Sequence, residues 1–148
     1  DHNQTITFLI DHLNYLKWKQ ENPHKKIDFM MGHSLGEINA LVASESISFS
    51  EAMSLIKERN IEMNKVKSGK MMAVLGLTVN QTEELLIEAH LDDGITVSVH
   101  NDYTYHCLSY PIEKEKESIS ALKQKKAHVL LIPHLGPFHS KLMDEAQW

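Results

Sequence analysis

Ile27-Asp28-Phe29-Met30-Met31-Gly32-His33-Ser34-Leu35-Gly36 is the stretch on which the reading of this chain turns. Its first five residues form a short apolar run bounded by a glycine, the pattern of a buried strand. From Ser34 to Ala43 the apolar residues Ile38, Leu41 and Val42 fall at helical spacing. Strand, tight turn and helix therefore meet at Gly32-His33-Ser34-Leu35-Gly36. Glycines permit a sharp turn, and a serine at its apex is held out over the sheet edge, beside the amides of a helix N-terminus. A nucleophilic hydroxyl and an oxyanion site coincide there, with the Leu35 N–H as the expected donor. The pentapeptide alone fits a turn with an idle serine equally well; its placement between strand and helix favours the nucleophile.

Working outward, Ile6, Leu9, Ile10, Leu13 and Leu16 predict an amphipathic helix over about residues 5–19 that buries this stripe, and Asn22-Pro23 ends it. Ser50 is the expected N-cap of a further helix running to about Lys67. The pattern then changes: strands are predicted at 71–75, 95–99, 106–110 and 129–132, with helices at 82–90 and 113–126. That order, βαββαβ, is the split-βαβ or ferredoxin-like arrangement. The fold class is thus α/β, with residues 70–132 as an inserted subdomain and 1–69 with 133–148 forming the larger one. The alternating charges of Glu113-Lys114-Glu115-Lys116-Glu117 read as a solvated helix face.

At 148 residues, 42% hydrophobic and 24% charged, the chain has the make-up of a globular protein of about one domain. A net charge of −5 with no basic stripe argues against a nucleic-acid surface. The single cysteine, Cys107, cannot form an internal disulfide. With no signal peptide and no apolar run long enough to span a bilayer, the expected location is cytoplasmic, with no membrane partner. The chain opens on Asp1 without an initiator Met and stops at Trp148 without a stop signal, so it reads as the interior of a longer protein.

A nucleophilic serine needs a base, and the sequence offers ten histidines. His33 adjoins the serine but faces the opposite side of the turn. His139, in Pro137-Phe138-His139-Ser140, follows the last strand of the insert, where topology returns the chain toward the elbow. Arg59 lies on the apolar face defined by Ala52, Leu55, Ile56, Met63 and Val66. A guanidinium there has to meet an anion or hydrogen-bond acceptors, because an unpaired buried charge is costly, and spacing alone favours a structural bridge to some Asp or Glu. His100, Asp102 and His106 straddle a predicted turn without a metal-ligand spacing, so no metal is assigned.

Taken together, Gly32-His33-Ser34-Leu35-Gly36-Glu37, Ala40-Leu41-Val42-Ala43, Arg59, the ferredoxin-like insert and Phe138-His139-Ser140 with Leu142-Met143 resemble the malonyl-CoA:acyl carrier protein transacylase family. With Tyr15-Leu16-Lys17-Trp18 added, the chain is most similar to the stand-alone acyltransferases that serve polyketide synthases in trans. The resemblance implies a hydrolase-like core with a nucleophile elbow and a ping-pong transfer of malonyl from malonyl-CoA to the phosphopantetheine thiol of an acyl carrier protein, in polyketide or fatty-acid biosynthesis. It makes Ser34 the nucleophile, His139 the base and Leu35 the oxyanion donor. It makes Arg59 the partner of the malonyl carboxylate, with His33, Phe138 and Asn101 also at the substrate. No cofactor is implied, malonyl-CoA being a substrate.

The chain departs from the family in places. The glutamine-bearing oxyanion loop would lie upstream of Asp1, and the segment that orients the histidine would lie beyond Trp148. Where relatives read roughly N-x-N-S-P-x-Q, this chain has Val99-His100-Asn101-Asp102-Tyr103-Thr104-Tyr105, keeping only Asn101, and Tyr110 and Glu45 stand where relatives usually keep Gly. Two other readings are a hydrolase that clears acyl groups from carrier proteins, against which Arg59 argues, and a noncatalytic scaffold.

Overall fold

The computed structural model describes residues 3–133 and 135–146. By its contacts the chain divides into two compact units, Asp1–Ile61 and Glu62–Trp148.

The first unit is helical: α1 (Asn3–Glu21), α2 (Leu35–Ala43) and most of α3 (Phe49–Lys65). Its core is Phe8, Ile38, Val42, Ala52 and Ile56. The helix expected from the N-terminal periodicity is present, but its buried face is not the expected one. Ile6, Ile10, Leu13 and Leu16 are exposed, whereas Phe8, outside that stripe, is fully buried. The physical reason is aromatic: the Phe8 ring packs on His12 and on Phe49 at the start of α3, with centroids 6.1 and 5.7 Å apart, and a phenyl ring buries more area than any aliphatic neighbour. Tyr15 hydroxyl donates to Ala43 O at 3.1 Å, fixing the other end of α1 on the end of α2.

Two further expectations are corrected here. Residues 27–31 form no strand. A strand exists only as one rail of a hydrogen-bonded ladder, and the described residues of this unit supply no second rail, leaving Phe29 92% and Met31 94% exposed. The start of α3 is bracketed by Ser48, not Ser50: Ser48 Oγ accepts from Glu51 N at 3.2 Å and Glu51 Oε2 accepts from Ser48 N at 2.8 Å, a reciprocal capping box.

The second unit is built on one antiparallel sheet of β1 (Gly69–Leu75), β2 (Thr96–Asp102), β3 (Tyr105–Pro111) and β4 (His128–Ile132), in spatial order β2-β3-β1-β4. Helices α4 (Val79–Glu88) and α5 (Glu115–Gln124) fill the links between β1 and β2 and between β3 and β4. Strand alternation divides the side chains cleanly. Met72, Val74, Leu108 and Tyr110 form one core with Leu85, Leu86 and Leu122 of the helices. Met71, Ala73 and Cys107 form a smaller cluster against which Leu135 and Phe138 pack. α4 starts at Val79 behind a Thr78–Gln81 capping box, three residues ahead of the start at Thr82 that the sequence predicts.

The segment following β4 packs with this sheet, as do residues 62–69. The cause is close packing at Gly69, where an added Cβ would lie 2.7 Å from both Pro137 Cβ and Tyr110 O and 2.9 Å from Leu142 Cδ1. Ser109 Oγ also donates to Phe138 O at 2.6 Å.

His106, on β3, is fully buried, with Nε2 3.0 Å from Thr82 Oγ1 and with Nδ1 unpaired. Burial foremost, then the nearby His100, holds its pKa below the ordinary 6.5, with Glu83 opposing. The unfolded chain therefore takes up a proton that the folded one refuses. The His106 contribution is fully present above the unfolded value and is lost as pH falls below it toward the folded value. The urea midpoint is expected to fall between about pH 7.5 and about pH 5.5, and His106→Gln, which does not titrate there, is expected to make that fall shallower.

Candidate active site

Ser34 precedes α2 with φ 56° and ψ −110°, a backbone that L-residues seldom adopt and that costs on the order of 1–3 kcal/mol. What holds it there is the approach of Gly32 to the start of α2. A Cβ on Gly32 would lie 2.0 Å from both C and O of Gly36 and 2.4 Å from Glu37 N, so only glycine fits. Gly36 itself lies in the first turn of α2 with open space where a Cβ would project. Gly36 N–H donates to His33 O at 2.9 Å and Glu37 N–H to Ser34 O at 3.2 Å, closing the turn into the helix. Leu35 N–H belongs to the first-turn amides that have no intrahelical acceptor, at the positive end of the helix dipole. The Ser34 hydroxyl does not cap α2.

It meets Arg59 instead. Arg59 Nη2 donates to Ser34 Oγ at 2.9 Å, and Arg59 Nη1 donates to Gln4 Oε1. At the next position on each helix, Asn60 Nδ2 reaches Thr5 Oγ1 at 3.5 Å, so the first turn of α1 is fastened to α3 at two adjacent positions. The guanidinium is half-buried. Burial lowers its pKa from the ordinary arginine value, while the charge of Glu37 raises it. None of the ion pairs among the described residues involves Arg59. It is a charged group whose hydrogen-bond acceptors among the described residues, Gln4 and Ser34, are neutral.

The remaining sequence candidates fall as follows. His33 is exposed in the turn. Phe138 and His139 belong to the second unit, where Phe138 packs against the Met71, Ala73 and Cys107 cluster. His139 is exposed with φ 57°. Its turn is pinned by Phe138 N–H to Gly136 O at 2.8 Å and Ser140 Oγ to Pro137 O at 2.6 Å. Asn101 lies where β2 shifts register against β3, and its Nδ2 donates to Cys107 Sγ at 3.7 Å, which brings it to the same cluster as Phe138. His106 is turned into the core toward Thr82, and no group of three His, Cys, Asp or Glu among the described residues could hold a metal ion. Gln4 was not visible from sequence: one glutamine in a first helical turn carries no periodic or motif signal.

The family profile described as "Acyl transferase domain" matches residues 13–147. The chain is 36% identical over 150 residues to the polyketide biosynthesis protein PksE of Bacillus subtilis, covering 99% of this chain and 19% of that protein. It is 34% identical over 145 residues to PksC of the same organism, a polyketide biosynthesis malonyl CoA-acyl carrier protein transacylase, covering 97% of this chain and 50% of that one. Among solved structures, malonyl CoA-acyl carrier protein transacylase from Burkholderia pseudomallei superposes with a TM-score of 0.87 at 27% identity, covering 97% of this chain and 49% of that one. The enzyme of the same name from Coxiella burnetii gives 0.86 at 28%, covering 97% and 46%. The chain thus spans about half, or less, of the length of these relatives.

The two glycines of the turn make opposite predictions. Gly32→Ala displaces the Ser34 backbone and is expected to slow Ser34 labelling by a fluorophosphonate about 100-fold or more. Gly36→Ala enters open space inside a helix, stabilises it by roughly 0.5–1 kcal/mol and should leave labelling near wild type. Rates of adduct formation by intact mass check both, and equal effects of the two substitutions would refute the assignment.

Proposed function

The chain belongs to the acyl transferase domain family, and from that premise we propose that it carries part of the site of an enzyme that moves malonyl from malonyl-CoA to the phosphopantetheine thiol of an acyl carrier protein. The observation that carries the reading is the 2.9 Å hydrogen bond from Arg59 Nη2 to Ser34 Oγ. An acyl group esterified to that oxygen has its β-carboxylate only a few bonds away, within reach of the same guanidinium, and arginine pairs with a carboxylate through two parallel N–H donors.

In the first half-reaction Ser34 Oγ attacks the thioester carbonyl and its proton passes to His139, assigned as base by the family resemblance of Phe138-His139-Ser140. Leu35 N–H stabilises the tetrahedral oxyanion. The C–S bond breaks, the CoA sulfur takes the proton from His139 and leaves as the thiol, and a malonyl ester remains on Ser34. In the second half the carrier thiol gives its proton to His139 and its sulfur attacks the ester. The C–Oγ bond breaks and Ser34 recovers the proton. No cofactor enters this sequence. Phe138, His33 and Asn101 line the acyl and pantetheine path in this reading.

The finer architecture we propose is a hydrolase-like core of 1–69 and 133–148 with a nucleophile elbow, into which 70–132 is inserted as a ferredoxin-like subdomain. The positive φ of Ser34 supports the elbow, and the antiparallel order β2-β3-β1-β4 supports the insert. None of the helices among the described residues is long and apolar enough to cross a membrane. A reaction that uses CoA thioesters and carrier proteins fits the cytoplasm.

Incubation of the intact protein with malonyl-CoA is expected to give a malonyl adduct on Ser34 by mass spectrometry, lost in Ser34→Ala and strongly slowed in His139→Ala. Rapid release of free malonate would favour the hydrolase, and absence of any adduct the scaffold. A charge-assisted bidentate pair contributes on the order of 2–4 kcal/mol, so Arg59→Ala should lower malonyl loading about 30- to 1000-fold while acetyl loading changes little. An unchanged malonyl-to-acetyl ratio would remove Arg59 from substrate selection.

A further inference from the structure

We propose that Gln4 is a positioning residue for acyl selection: its side-chain oxygen holds the Arg59 fork beside Ser34, so that the guanidinium is already aimed when a carboxylated acyl group arrives. The inference rests on the transferase reading above and adds to it a residue outside the elbow and outside every motif of the sequence.

The geometry is local to the first unit. Arg59 Nη1 donates to Gln4 Oε1 while Arg59 Nη2 donates to Ser34 Oγ, so the two ends of one planar group are fixed at once. An arginine side chain has many rotamers to lose, and binding is tighter when that loss precedes the ligand. The acceptor belongs to the first turn of α1, and that turn is itself held to α3 by Asn60 Nδ2 on Thr5 Oγ1 at 3.5 Å. Phe8, one turn further along α1, is fully buried in the core with Ile38, Ala52 and Ile56. The support is therefore a packed helix, not a loop.

The chemistry of the acceptor matters as much as its place. A carboxylate in that position would hold the fork equally well but would neutralise it, and an incoming malonyl carboxylate would then have to displace an ion pair. The amide oxygen orients the donors and leaves the positive charge for the substrate. Gln4 does not touch the reacting carbonyl; it acts through Arg59.

Two substitutions in the intact protein test this, with kcat and KM read separately for malonyl and acetyl loading of Ser34. Gln4→Leu removes the acceptor and is expected to lower kcat/KM for malonyl about tenfold, mainly through KM, with acetyl loading within about twofold of wild type. Gln4→Glu keeps size and acceptor but adds the competing charge, and is expected to lower malonyl kcat/KM further than Gln4→Leu while sparing acetyl loading. Being isosteric, it keeps the test decisive if Gln4→Leu does not fold. Equal losses for both acyl groups, or malonyl kinetics unchanged in Gln4→Glu, would overturn the assignment. A wild-type protein that takes no malonyl group at all would overturn the transferase reading, and Gln4 with it, which separates the two failures.

Discussion

Gly32 touches the backbone of Gly36 and Glu37 so closely that no side chain fits between them, and the candidate site depends on that contact. A chain that doubles back this tightly has to pass through positive φ at its apex, and the apex is Ser34. A serine in a relaxed conformation would point its hydroxyl at the α2 amides as an ordinary cap. Held off that minimum, it turns Oγ toward Arg59, while the Gly36 and Glu37 amides donate to the carbonyls of His33 and Ser34. The strain and the serine–arginine bond thus share one steric cause.

How much of this could be read from residues alone depended on what kind of signal each feature leaves. Periodicity and turn chemistry are local, and among the described residues they locate α1 to α5 and the strands β1 to β4 to within a few residues. Local signals failed where the deciding partner was distant in sequence. The run 27–31 has strand composition, but a ladder is a property of two segments. The aliphatic stripe beside Phe8 has better helical spacing and so dominates the sequence signal, whereas ring packing with His12 and Phe49 decides the buried face. The Ser48 cap was displaced by two residues because Ser48 and Ser50 both precede the apolar run, and only Glu51, reaching back to Ser48, distinguishes them.

The same distinction runs through the site. Ser34 announces itself by its flanking glycines, and Arg59 by being a charge on an apolar face. Gln4 announces nothing, since a polar residue in an exposed first turn is what any helix would show. Only the fold of α1 onto α3 turns it into the acceptor for Arg59. Supporting residues are in general harder to read than reactive ones for this reason: their chemistry is ordinary and only their address is special.

The address also explains why neutral partners suit Arg59. Half-buried, the guanidinium has lost part of its hydration, and burial lowers its pKa for that reason. Arginine stays charged even so. Glu37 is close enough to raise the pKa again, yet it forms no ion pair with Arg59 among the described residues, so the charge is softened without being cancelled. Hydrogen bonds to Gln4 and Ser34 satisfy donors but return little of the lost charge solvation. A carboxylate esterified through Ser34 would return it, in surroundings where water competes less than at the surface. An acetyl group in the same place would displace one hydrogen bond and offer no charge in exchange. In the proposed reaction, discrimination between the two would follow from partial dehydration of a cation that forms no ion pair among the described residues.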